Sequence, residues 1–101
     1  MSTIAVTKSN IDSKVLTSDK TILLEFWAKW CSPCRDMYTI LAEIADERPD
    51  ILIGKVNVDD EPELAKSYGI VSIPTLVAIK DGKVAKRISG YQSKEDILEW
   101  L

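Results

Sequence analysis

Residues 21–34 read Thr21-Ile22-Leu23-Leu24-Glu25-Phe26-Trp27-Ala28-Lys29-Trp30-Cys31-Ser32-Pro33-Cys34. A nearly continuous apolar run ends in a loop that holds the only two cysteines of the chain. The run from Thr21 to Ala28 is short, so it predicts a strand buried on both faces. Beyond the loop the period changes. Met37, Ile40, Leu41, Ile44 and Ala45 recur at helical spacing, with Arg35, Asp36, Glu43 and Asp46 mostly on the other side. Pro33 suits the first helical turn, where a missing N–H costs nothing. One helix is predicted from Pro33 to about Glu47, with Pro49 as its stop.

Working outward, Ile4-Ala5-Val6 reads as an edge strand, and Asn10 is placed to cap a helix over Ile11 to Leu16. Ile51 to Val58 alternates and is β-branched, which predicts a second central strand. Pro62 opens a short helix through Tyr68, ended by Gly69. Thr75–Ile79 and Val84–Ile88 flank Lys80-Asp81-Gly82-Lys83, a strong hairpin signal. Ser93 with Asp96 resembles a capping box ahead of Ile97, Leu98 and Leu101. Early strands alternate with helices, which implies right-handed parallel crossovers, and the last two strands form an antiparallel hairpin. The predicted class is α/β: a central mixed five-stranded sheet flanked by four helices.

At 101 residues and 46% hydrophobic, the chain fits one domain, residues 1–101. It has 13 basic and 16 acidic residues, net −3, and so offers no basic footprint for nucleic acid or an anionic membrane. Met1 to Asn10 lacks a positive segment followed by an apolar run, so no secretory leader is read there. No apolar run reaches the ~20 residues of a membrane span. The expectation is a soluble cytoplasmic protein, in a compartment that keeps thiols reduced.

Zinc is the first alternative for the cysteine pair. A structural site takes four ligands, usually Cys or His, and this chain has two cysteines and no histidine. Only a site shared between two copies remains. A structural staple is the second. Closing so short a loop removes little unfolded-state entropy, roughly 2 kcal/mol. A redox switch explains the placement better. Cys31 sits at the predicted helix N-terminus, where free N–H groups and the positive dipole end favour a thiolate. The thiolate is the attacking species. Cys31 is read as an exposed nucleophile and Cys34, one turn further in, as the shielded resolver.

Phe26-Trp27-Ala28-Lys29-Trp30-Cys31-Ser32-Pro33-Cys34 resembles the active-site segment of the thioredoxin family. The likeness continues through Tyr68-Gly69-Ile70-Val71-Ser72-Ile73-Pro74-Thr75 and Lys80-Asp81-Gly82-Lys83 to Gly90, over essentially the whole chain. The resemblance implies the thioredoxin fold and protein-disulfide reduction by dithiol–disulfide exchange. It implies disulfide-containing protein substrates, regeneration by a separate thioredoxin reductase (NADPH- or ferredoxin-linked) and a monomer. It also implies a cis Ile73–Pro74 peptide, which leaves the Ile73 backbone free to pair with an extended substrate segment beside Cys31. It places an acidic residue, here Glu25, beneath the resolving cysteine as its proton carrier, with Lys55 as partner of the carboxylate. Trp30, Ser32, Pro33, Val71, Ile73 and Gly90 are expected to meet substrate, with Tyr91 beside them on the rim. Trp27 and Trp100 are expected in the core, and Asp59 and Asp60 at a strand end.

Three positions depart from the family. Glu25 stands where aspartate is usual and is one methylene longer. Ser32 replaces a glycine between the cysteines. Thr39 replaces a helix-kinking proline, which predicts a straighter helix, and Tyr38 beside it adds bulk. No G-x-G-x-x-G stretch occurs, so no nucleotide cofactor is expected. The competing readings are a disulfide-forming oxidant or isomerase, a glutaredoxin, and a binding subunit that uses the surface and not the thiols.

Overall fold

A computed structural model of the protein describes residues 3–101. Met1 and Ser2, the start of the segment read for a leader, lie outside the described residues. Five strands form one sheet: β1 (Thr3–Ala5), β2 (Thr21–Trp27), β3 (Ile51–Asn57), β4 (Thr75–Lys80) and β5 (Lys83–Ser89). Their spatial order is β1-β3-β2-β4-β5. β1 and β2 run parallel to β3, while β4 is antiparallel to both β2 and β5. Four α-helices follow the strands: α1 (Ser32–Asp36), α2 (Tyr38–Glu47), α3 (Pro62–Ser67) and α4 (Lys94–Trp100). A π-helical turn spans Asp12–Leu16. This is the expected mixed α/β sheet with helices on both faces.

β2 is central, and residues 22–26 are all buried. Its alternation feeds two cores. Ile22, Leu24 and Phe26 pack with Val15, Val56 and Leu64 on one face. Leu23 packs with Met37, Leu41, Ile44 and Ile97 on the other. Glu25 has the parity of Leu23, so a carboxylate occupies a position the pattern reserves for apolar side chains.

The β4–β5 turn is Asp81-Gly82, with φ of 53° and 77°. Two left-handed residues match the right-handed twist of a hairpin. A Cβ on Gly82 would lie 2.9 Å from the Leu16 carbonyl oxygen, so space as well as φ demands glycine. Ser93 caps α4 as expected, its hydroxyl accepting from the Asp96 N–H at 3.1 Å.

Three expectations need correction. Asn10 does not cap a helix: its side chain accepts from the Thr7 N–H and donates to the Ala5 carbonyl. It closes a turn because the Asn10 and Ile11 N–H groups already bond the Thr7 carbonyl. The helix predicted over 33–47 is two helices that meet at Met37. The Met37 N–H donates to the Cys34 carbonyl at 3.2 Å, a tightened i→i−3 turn, and the regular ladder resumes from Leu41 to Met37. Met37 is fully buried while Tyr38 is exposed. The break at Met37 forms without a proline at position 39. The tryptophans expected in the core are only half-buried: Trp27 packs beside the cysteine pair, and Trp100 packs on the Leu23 core with the Lys86 ammonium 5.6 Å from its ring centroid.

Candidate active site: the Cys31–Cys34 pair

β2 ends at Trp27, and the chain turns through Ala28 to Trp30 into α1. Cys31 is the N-cap of α1, in extended conformation, and its Sγ accepts a hydrogen bond from the Cys34 N–H at 3.3 Å. Ser32 and Pro33 fill the first exposed positions of the helix. Cys31 and Cys34 are joined in a disulfide, with their Cα atoms 5.3 Å apart. In this disulfide form the Cys34 N–H already points at the Cys31 sulfur. An N-cap amide and the helix dipole both favour a thiolate there.

The expected contrast in exposure is small. Cys31 is 5% exposed and Cys34 2%. Ala28, Trp27, Val58 and Ile73 pack around the pair, so Cys31 is a sulfur in an apolar collar and not an open one. The reason is tertiary: Ile73 and Val58 come from distant loops that no local pattern aims at Cys31.

Trp30 is 68% exposed, and its indole N–H donates to Asp59 Oδ2 at 2.9 Å. Sequence reasoning placed Asp59 only at a strand end. With Val58, Ile70, Val71 and Ile73, Trp30 lines a groove of about 380 Å³. Val71 is almost fully exposed on its rim. Pro33 and Gly90 do not line this groove. The Ile73–Pro74 peptide is cis, Pro74 is buried, and its carbonyl accepts from the Gly90 N–H at 2.7 Å. The sheet ladder begins only at Thr75, which leaves Ile73 outside it.

Glu25 is fully buried, and among the described residues no hydrogen bond reaches either carboxylate oxygen. Register sets it opposite Lys55 on β3, whose ammonium lies 3.7 Å away, close enough for an ion pair but long for a hydrogen bond. Burial pushes the Glu25 carboxyl up to about 7, and the Lys55 charge only partly opposes that. A cavity of about 740 Å³ runs from β1 past Trp27, Lys55 and Tyr38 to Cys34 and Arg35. Tyr38 was read only as added bulk. Its position four residues after Cys34, one helical turn on, is the signal that could have placed it here.

The thioredoxin family model matches residues 2–101. A thioredoxin of Mycobacterium tuberculosis is 45% identical over 100 residues, which cover 98% of this chain and 86% of that protein. A thioredoxin of Alicyclobacillus acidocaldarius is 42% identical over 96 residues, covering 94% of this chain and 90% of that protein. A bifunctional thioredoxin reductase/thioredoxin of Mycobacterium leprae is 41% identical over 100 residues, or 98% of this chain and 22% of that protein. A Cys-x-x-Cys disulfide at the head of a helix, a cis-proline loop beside it and a family match across the chain converge. The chain belongs to the thioredoxin family, and Cys31–Cys34 is its dithiol–disulfide exchange pair.

Proposed function

We propose that this chain is a one-domain, monomeric cytoplasmic electron carrier that reduces protein disulfides and takes its electrons from a separate reductase. The observation that carries the reading is the disulfide at the α1 N-cap, with an amide N–H on Cys31 Sγ and a buried carboxyl on the adjacent strand. In the reduced form the Cys31 thiolate attacks one sulfur of a substrate disulfide. That bond breaks, the released substrate thiolate takes a proton, and Cys31 is left in a mixed disulfide. Glu25 then accepts the Cys34 proton, and the Cys34 thiolate attacks Cys31 Sγ. The second substrate thiolate leaves, and the Cys31–Cys34 disulfide holds the two electrons' worth of oxidation. A dithiol reductase, NADPH- or ferredoxin-linked, reverses it.

Ile73 supports strand-like substrate pairing, because it packs against the Cys31–Cys34 cluster and its backbone lies outside the ladder. Trp30 and Val71 offer the apolar contact a protein substrate needs, with Ser32, Pro33 and Gly90 as further contacts. Among the described residues no helix is long and apolar enough to cross a membrane. The test is turnover of a disulfide-bonded protein substrate with either reductase as electron source. Catalytic reduction that vanishes in Cys31→Ser upholds the reading. Absence of turnover with both sources, together with a strongly oxidising potential, would replace it with a disulfide-forming role.

A further inference from the structure

A second cluster adjoins Cys34 and connects to Glu25 through Lys55. The Lys55 ammonium lies 4.9 Å from the Trp27 ring centroid and 4.5 Å from the Tyr38 ring centroid. Both fall within the roughly 6 Å over which a ring face attracts a cation. The rings come from different elements, Trp27 from the end of β2 and Tyr38 from the start of α2. The break at Met37 turns one residue into the core and leaves its neighbour over the cavity. A lysine stem is flexible, and the cavity beside it is open, so without the rings the ammonium has other places to go.

We propose that Tyr38 is a positioning residue for Glu25: its ring and that of Trp27 cage the Lys55 ammonium and hold it against the carboxylate. This deepens the reading in which Glu25 carries the Cys34 proton, and it rests on that reading for its effect on exchange. Tyr38 acts through Lys55 and not on the sulfurs. Other charges do not substitute for Lys55. Among the described residues, Lys55 is the cation within ion-pair distance of Glu25. Lys29, Arg35, Asp60 and Glu61 also line the cavity, and the Arg35 guanidinium donates to the Lys29 carbonyl at 2.6 Å. On the β4 side Glu25 faces Leu76, which carries no charge. Burial drives the carboxyl toward its neutral form and Lys55 opposes this, so moving the ammonium away leaves burial unopposed.

Carboxyl ¹³C NMR of Glu25 in the oxidised protein tests the cage directly, in wild type, Tyr38→Ala and Tyr38→Phe. The pH profile of mixed-disulfide resolution by Cys34 is measured on the same proteins. Tyr38 is 59% exposed, so its truncation leaves the core intact. In Tyr38→Ala the Glu25 titration is expected to move up by about one pH unit, and the resolution profile with it. Tyr38→Phe keeps the ring face and is expected to restore both. An unmoved Glu25 titration in Tyr38→Ala overturns the proposal. An equal shift in Tyr38→Phe also overturns it, because the hydroxyl and not the ring face would then be responsible. A shifted titration with an unmoved resolution profile upholds the cage and overturns the proton role of Glu25.

Discussion

Glu25 and Lys55 face each other across the β2–β3 ladder with carboxylate and ammonium 3.7 Å apart, and no hydrogen bond from the described residues reaches the carboxylate. A fully buried acid with one imperfect partner is easily neutralised, which is what a proton carrier beside a thiol pair requires. Burial raises this carboxyl to about 7.

Glu25→Gln keeps the volume and removes the titration. At pH 7, near the raised value of Glu25, resolution by Cys34 is expected to slow by about 100-fold while attack by Cys31 changes little. Stopped-flow Trp fluorescence separates the two steps. Equal slowing of both would remove Glu25 from the resolving step.

The same carboxyl makes stability depend on pH. Its folded-state value, about 7, lies above the ordinary 4.5, so the native state binds the proton more tightly than the unfolded chain. The associated stability is fully present below pH 4.5 and is lost as pH rises through 7. The loss amounts to about 3 kcal/mol. Urea unfolding of the oxidised protein should show wild type falling relative to Glu25→Gln across this window. A parallel course of the two proteins would mean that Glu25 is ionised throughout.

Cys34→Ser and Cys31→Ser should fail differently. Cys31→Ser abolishes reduction at the first step. Cys34→Ser still attacks but cannot resolve, so it accumulates mixed disulfides visible by mass spectrometry. Mixed disulfides forming instead on Cys34 of Cys31→Ser would reverse the assignment of nucleophile and resolver.

Thr39 is the second residue of α2, where backbone N–H groups have no helical partner to lose. Thr39→Pro is therefore expected to change stability by less than about 1 kcal/mol in thermal unfolding. A larger loss would indicate a continuous helix through Met37.

Gly82→Ala places a Cβ at φ 77° and 2.9 Å from the Leu16 carbonyl oxygen. It should destabilise the fold by about 2 kcal/mol and leave the rate of disulfide exchange unchanged. Wild-type stability in a urea titration would show that the turn relaxes freely.

The order of strands and helices, the Asp81-Gly82 hairpin and the Ser93 cap were legible in the sequence. So was the Cys31–Cys34 pair at a helix start. Each rests on local chemistry: period, turn residues, caps and the dipole of one helix. Glu25 was visible as a misfit in an apolar strand, since its neighbours Leu24 and Phe26 left no wet face. The tertiary structure decided the rest. The apolar collar that buries Cys31 needs Val58 and Ile73, which come from loops distant in sequence. The split at Met37, an i→i−3 turn beneath a buried side chain, has no proline or glycine to mark it in the sequence. The cage around Lys55 needs β2, β3 and α2 brought together. Local pattern specifies what a segment becomes, but contacts across the sheet exist only after the chain has folded, and the electrostatics of the thiol site depend on those contacts.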